Sequence, residues 1–324
     1  MQDFQIIVPG GLNTDIVGLG VERILGPGEL TLGGELKIGP GGKARNMAQM
    51  AATYLGKGQV AMIGRSSRDP FGLWEVPVTS LKKAGVDISF VKISEFSENG
   101  NKFPGIALIP VAKSGRNQIY VLPGINLDFN PEDIEEASIL FRNPGRKKVM
   151  ILALEIPLAT AKSAIRKAQE NHIRIILDPG GIDKPIDDLL NGDIFLIKPN
   201  EYEAEIITGI RIKDFESARR SAQKILSKGV QNVFITHGDK GGYLFNNQLN
   251  LMIQIPQIAK SRIHDETGCG DQVTAILAAC LSEGRSLTES AEISIVAGTL
   301  QFYRAGIQPI SRTDLSKYIE TSQT

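Results

Sequence analysis

Between residues 131 and 236 the chain alternates helical and extended patterns at a spacing that few folds accommodate. Helices are expected at 131–138, 158–170, 201–207 and 213–228, and strands at 148–154, 173–177, 194–198 and 231–236. Elements of these lengths in this order point to crossover units in a largely parallel sheet with helices on both faces. The apolar opening F-Q-I-I-V-P at 4–9 and Val60–Gly64 supply further buried strands, and 86–93 another. Apolar runs at 243–245 and 251–255 read as late antiparallel additions. Helices at about 271–282, 287–303 and 311–320 close the chain. The expected fold class is α/β, a three-layer α/β/α domain.

Two segments break that rhythm. Residues 16–40 alternate weakly and are interrupted by P-G-E at 27–29 and G-G at 33–34, which suits short strands of a small exposed sheet or a long decorated loop. Residues 103–122 read as two strands joined by the turn K-S-G-R-N, and Pro110 marks the first as an edge or irregular strand. Together they suggest one small sheet lying over the site, a lid formed by about 16–40 and 103–122, within a single domain spanning 1–324. Between them, Met47, Met50, Ala51, Tyr54 and Leu55 recur at helical spacing up to a stop at Gly56. A second helix is expected from Pro70 to Ala84, kinked or interrupted by Pro77.

Charge and cysteine content exclude several classes. Lys plus Arg and Asp plus Glu are both 36, so nothing favours a dedicated nucleic-acid binder. The start M-Q-D-F-Q-I-I-V-P lacks the basic end and long apolar core of a secretory leader, and no apolar run reaches membrane-spanning length. Cys269 and Cys280 do not make a disulfide framework, and with so few histidines they give no zinc spacing. A cytoplasmic protein without membrane or nucleic-acid partners is expected. The pattern G-x-x-x-x-G-K-[ST] is absent, and no G-x-G-x-x-G follows the first strand.

The residues suited to chemistry cluster around glycines and strand ends. In D-E-T-G-C-G-D at 265–271, Asp265 and Asp271 bracket Thr267 and the glycines Gly268 and Gly270, and an apolar helix follows. Unpaired N–H groups of a first helical turn can receive an anion, and an aspartate beside them can deprotonate a hydroxyl. The alternative is an ordinary loop with Asp271 as N-cap. Asn13 and Asp15 sit just beyond the first strand, where α/β folds bind ligands. Gly41 and Gly42 precede a helix that carries Asn46 one turn in, and Glu155 ends a strand. Glu203 either faces a divalent cation through water or completes a capping box with Asn200, and both fit the same residues. Thr236 ends a strand and Gly238 lies in the turn after it, and both could contact nucleotide phosphates.

Taken together, these motifs resemble those of the ribokinase-like PfkB carbohydrate kinases. D-E-T-G-C-G-D resembles the family's D-T-x-G-A-G-D signature, G-G-K-A-R-N at 41–46 its first signature, N-E-Y-E its N-x-x-E segment and G-L-N-T-D at 11–15 its substrate-binding opening. The ribokinase branch fits best, through P-G-E, R-N-Q-I-Y-V-L-P-G-I-N at 116–126 and G-I-Q-P at 306–309. The resemblance implies ATP-dependent phosphorylation of a sugar hydroxymethyl group, with D-ribose giving ribose 5-phosphate. Asp271 would be the base, and Gly268, Cys269 and Gly270 the anion hole. Asn13, Asp15, Gly41, Gly42, Lys43, Asn46 and Glu155 would hold the sugar, with Lys43 pairing with Asp15. Asn200, Thr236, Gly238 and Gly270 would lie near ATP, Glu203 would organise Mg2+ through water, and Asp265 and Thr267 would border a monovalent cation, K+ foremost. A homodimer through the lid is implied as well.

Departures from the family pattern bear on the acceptor. Ala44-Arg45 replaces the usual Gly-Ala, Glu266 stands at a usual threonine, Cys269 at a usual alanine, and Gln272-Val273 at Thr-Phe. Ile125 precedes Asn126 where alanine is usual. Arg45 either faces away or recruits a more acidic or larger substrate. Nucleoside, fructose, inositol and sugar-phosphate kinases share the scaffold, and a non-catalytic sugar-binding or regulatory relative would keep the fold alone.

Overall fold

A computed structural model describes residues 4–96, 102–142, 147–190, 194–258 and 264–322, with side chains described to residue 318. Nine strands form one sheet. From one edge, with their bounds, they are β13 (Asn250–Ile253), β12 (Gly242–Phe245), β11 (Val233–Thr236), β10 (Leu196–Ile197), β9 (Arg174–Asp178), β8 (Val149–Ala153), β1 (Ile6–Pro9), β4 (Val60–Ser67) and β5 (Asp87–Ser94). All neighbours are parallel except β11–β12 and β12–β13, the two late strands expected to be antiparallel.

Alternation along the strands builds two cores. Ile6, Val8, Met62, Val149 and Ile151 face one layer, formed by α1 (Lys43–Leu55), α2 (Glu75–Ala84), α7 (Cys269–Glu283) and α8 (Leu287–Phe302). Ile7, Ala61, Ile63, Met150 and Leu152 face the other, formed by α3 (Pro131–Glu136), α4 (Leu158–Glu170), α5 (Glu201–Thr208) and α6 (Phe215–Leu226). A central strand buried on both faces must be apolar at every position, which is why β1 and β8 lack polar alternation. The last helix, α9, runs from Arg312 to Ser322. Among the described residues, no helix is long and apolar enough to cross a membrane.

The second sheet has four strands in the order β3 (Glu35–Gly41), β2 (Asn13–Val21), β6 (Gly105–Ala112) and β7 (Tyr120–Leu122). Three expectations change here. Asn13 and Asp15 lie on β2, which pairs with β3 from Asn13–Gly41 onward, so they belong to the small sheet and not to a turn. Strand β6 pairs with β2 on one side and β7 on the other, so it is interior. Pro110 is tolerated because it lies past the Ile106–Leu108 stretch that pairs with β7. Helix α2 starts at Glu75, later than expected, which puts Pro77 in the first turn, where its missing N–H has no intrahelical partner to lose.

Candidate active site

In the large sheet β1 has β4 on one side and β8 on the other, so the chain leaves it in both directions. A crevice opens at such a switch point, beyond the carboxyl ends of the strands. Four segments converge there: the link from β1 into β2, the start of α1, the turn after β8, and the start of α7.

The start of α1 is set by glycine. Gly42 is its N-cap at φ 89°, and a Cβ there would lie 3.0 Å from the Gly11 carbonyl oxygen. A side chain would therefore meet both strain and backbone. Gly41 brings the chain against Asp15, since a Cβ there would sit 1.8 Å from Oδ1. Ala44 packs with equal closeness on Gly10, where a Cβ would come within 2.0 Å of its own. The first backbone N–H of α1, from Lys43, donates to Glu155 Oε2 at 2.9 Å. Burial raises the Glu155 pKa, and the Lys43 charge and this bond only partly offset it.

Helix α7 begins differently from expectation. Its N-cap is Gly268 at φ 74°, and Asp271 is the third helical residue, so Asp271 is not the cap. Asp271 is buried, and two groups from α1 reach it. Asn46 Nδ2 donates to Oδ2 at 2.7 Å, and Lys43 Nζ stands 3.6 Å from Oδ1. The lysine pairs with Asp271 and not with Asp15, because its stem crosses Gly180, where a Cβ would lie 2.3 Å from Cε. The charge of Asp271 raises the Lys43 pKa against an opposing effect of burial. Of the three expected anion-hole donors, the Cys269 N–H already donates to the Glu266 carbonyl at 3.2 Å.

Asp15 shares this crevice without sharing its cation. Burial pushes its carboxyl up to about 6, the Arg45 charge pulls it down and Asp271 raises it further. No hydrogen bond reaches its carboxylate among the described residues. Its neighbour Asn13 is oriented by Asn126, whose Nδ2 donates to Oδ1 at 2.8 Å while its Oδ1 accepts from the Leu12 N–H at 3.1 Å. Ile125, beside it, is buried.

A further charged pair lies beneath the start of α7, formed by residues that sequence reasoning did not single out. Asp178 ends β9, and Lys198 follows β10. Lys198 Nζ lies 3.2 Å from Asp178 Oδ2, which also accepts from Thr274 Oγ1 at 2.7 Å. Burial works to raise the Asp178 pKa, but Lys198, Lys43 and these bonds outweigh it and hold it low. A Cβ on Gly270 would meet Lys198 Nζ at 3.6 Å, so the lysine borders the same hollow. The strand end I-L-D-P-G-G carries the signal that marked Glu155: a carboxylate beyond an apolar strand.

The remaining predicted residues form two groups. Asn200 caps α5 and Glu203 completes the capping box, with Oε2 accepting the Asn200 N–H at 2.9 Å. Burial and then Asp178 raise the Glu203 pKa, Lys198 opposing. Thr236 bridges to Asn200, and a Cβ on Gly238 would lie 4.0 Å from Glu201 Oε1, so these two sit at the α5 end of the site. At the other end, both Asp265 oxygens accept backbone N–H bonds, from Thr267 at 2.8 Å and Gly306 at 2.7 Å. These bonds outweigh burial and lower its pKa. Burial, then the charges of Asp265, Glu266 and Asp271, push the Cys269 thiol up to about 12, which leaves it a packing group and not a thiolate.

A buried carboxylate in the first turn of a helix, cations beside it and the N–H groups of that turn behind it suit phosphoryl transfer to an alcohol. The family model for pfkB family carbohydrate kinases matches residues 4–313. The chain is 29% identical to a ribokinase of Arabidopsis thaliana over 296 residues, which are 91% of this chain and 75% of that protein. It is 28% identical to a Haemophilus influenzae ribokinase, with 94% of each chain covered. The structure of the Arabidopsis ribokinase complexed with ribose and ATP superposes with a TM-score of 0.86 at 26% identity, covering 98% of this chain and 99% of that one. This chain belongs to the pfkB family of carbohydrate kinases. It is an ATP-dependent sugar kinase, with the ribokinase-like α/β fold.

Proposed function

We propose that this kinase transfers the γ-phosphoryl group of ATP to the hydroxymethyl group of D-ribose, giving ribose 5-phosphate. The observation that carries the reading is the convergence of Lys43 and Asn46, one turn apart on α1, upon the Asp271 carboxylate at the start of α7. Ribokinases match over nearly the whole chain, and one of them was solved with ribose and ATP.

In this reading Asn13, Asp15, Gly41, Gly42, Asn46 and Glu155 hold the sugar. Asp15 accepts from sugar hydroxyls, because its oxygens have no competing donors among the described residues. Asn46 holds Asp271 by Oδ2, and Oδ1, 3.6 Å from Lys43 Nζ, is the oxygen that meets the acceptor. The acceptor oxygen attacks the γ-phosphorus, its proton passes to Asp271, and the bond to the ADP oxygen breaks. Backbone N–H groups of Gly268 and Gly270, with Cys269 shaping the turn, face the charge that develops, and Lys43 and Lys198 neutralise it. Asn200, Thr236 and Gly238 border the nucleotide.

Glu203 suits Mg2+ held through water. It is buried near Asp178, and its capping bond occupies Oε2 only, which leaves a hard oxygen for a hydrated dication. When bound, Mg2+ would screen the phosphates. Asp265 and Thr267 border a monovalent cation, K+ first. Because backbone N–H groups hold both Asp265 oxygens, this carboxylate supplies mainly charge and loop geometry. The small sheet acts as a lid that excludes water. Its outward Leu36, Ile38, Tyr120 and Leu122 share one face by strand register and are exposed, which supports a homodimer through that face.

The test is an assay of purified protein with ATP, Mg2+ and K+ across sugars, sugar phosphates, inositol and nucleosides. D-ribose is expected to give the highest kcat/KM. A strong preference for a nucleoside, inositol or sugar phosphate would reverse the assignment. A stable monomer at assay concentration would reject the dimer.

A further inference from the structure

Arg45 stands one residue before Asn46 and is fully buried. Its side chain turns back under the small sheet. Nε donates to the Gly41 carbonyl at 3.2 Å, and one terminal nitrogen donates to the Pro40 carbonyl at 2.9 Å and to Asn46 Oδ1. The other donates to Ser80 Oγ at 3.3 Å and to Gln49 Oε1. A guanidinium has five N–H donors, and all five are used. None remains for a substrate, so Arg45 neither faces away nor recruits an acidic acceptor.

Two consequences follow from those partners. Every acceptor is neutral, so the positive charge is spent on no direct ion pair. The nearby carboxylates that sustain it are Asp15 and Asp271, against burial that lowers its pKa to about 10. The bond to Asn46 Oδ1 also decides which way that amide faces. With the oxygen held by Arg45, the Nδ2 end must point to Asp271.

We infer that Arg45 is a positioning residue for the acceptor site: it locks the Asn46 amide with its donor end toward Asp271 and sets the positive field around Asp15. This rests on the reading of Asn13, Asp15 and Asn46 as the sugar pocket. Gly41 couples the two halves. Its carbonyl accepts from Arg45, and its Cα abuts the Asp15 carboxylate closely enough that a Cβ would collide with it. The charged groups acting on Asp15 are Arg45 and Asp271.

The experiment uses Arg45→Met, Arg45→Lys and Asn46→Ala. D-ribose binding is measured by calorimetry without ATP, and kcat and KM are measured from pH 5 to 9. Arg45→Met is expected to weaken D-ribose binding on the order of tenfold. It should also move the acid limb of kcat/KM, expected from Asp15 near 6 in the wild type, to higher pH. Arg45→Lys keeps the charge without the fork, so it should restore the limb but not the affinity. In the Asn46→Ala background, Arg45→Met should cost much less affinity than it does alone. Where Arg45→Met does not fold, the lysine variant carries the test. A folded Arg45→Met with wild-type affinity and an unmoved limb overturns the inference, as do full affinity in Arg45→Lys or additive losses in the double variant. A wild type that binds and phosphorylates no sugar fails the pocket reading instead.

Discussion

Asp15→Asn tests the charge state of the crevice directly. The carboxyl titrates near 6 in the fold against 3.8 as an ordinary side chain, with burial as the main cause. A carboxyl raised in this way binds a proton more readily in the folded state, so its contribution to stability is complete below about 3.8 and is lost as pH rises through about 6. Two units correspond to about 3 kcal/mol of penalty on the ionised form at pH 8. That shift is already net of the Arg45 attraction, but the amide must itself be desolvated in a site that gives it no hydrogen-bond partner among the described residues, which leaves a net gain of about 1–2 kcal/mol. Asparagine is nearly isosteric, so packing changes little. The assay is thermal unfolding of the variant and the wild type at pH 4.5 and pH 8, using their difference so that other titrating groups cancel. The two should melt closer together at pH 4.5, where only the smaller part of the loss has accrued, and Asp15→Asn should melt about 2–4 °C higher at pH 8. It should bind D-ribose more weakly at both. A difference that does not change with pH, or a variant less stable at pH 8, would refute the reasoning. Stability given up at a site that must present an unbonded carboxylate is the usual trade at a binding pocket.

Two further outcomes follow from the geometry. Asp271→Asn should keep D-ribose binding within a few fold while kcat falls on the order of a thousandfold, and near-normal turnover would remove Asp271 as the base. Glu203→Gln should leave unfolding almost unchanged, because glutamine also completes the capping box, while a titration of activity should show a higher Mg2+ requirement.

The fold was legible where periodicity decides it. Residues 131–236 declared a parallel sheet because each apolar run is too short for a core helix and each helical stretch long enough to cross back. Boundaries that depend on tertiary pairing were less legible. Asn13 and Asp15 looked like a turn because glycines precede them, yet pairing with β3 and β6 draws them into a strand. Pro77 looked like a kink because the helical pattern reads back to Pro70, yet Asp69 accepts the Phe71, Leu73 and Trp74 N–H groups and the helix itself begins only at Glu75, so Pro77 falls in its first turn. The motif residues of the site could be named in advance, but not their partners. Whether Lys43 meets Asp15 or Asp271 depends on the path its stem takes over Gly180, and the burial of Arg45 depends on carbonyls of β3 that no local pattern reveals.

The Lys198–Asp178 pair raises the question of whether it is structural or faces the phosphoryl group. Both side chains are almost wholly buried, 3% and 2% exposed, so removing one strands the other. Lys198→Met should therefore destabilise by about 3–5 kcal/mol, because Asp178 stays charged with only Lys43, Thr274 and the Gly180 N–H to hold it. That loss alone does not separate the two roles. Lys198→Met with Asp178→Asn does, since replacing both charges with neutral groups of similar volume can restore most of the stability. If the lysine only anchors β9 and β10 beneath α7, turnover should return along with the melting temperature. The hollow at Gly270 argues for the other result: the ammonium lies at contact distance from where a side chain there would begin, on the side where the N–H groups of the first turn emerge. The double variant is then expected to melt near the wild type yet turn over at least a hundredfold more slowly, with D-ribose binding unchanged. Recovery of both stability and rate would assign the pair to the scaffold and leave Lys43 as the cation facing the transferred group.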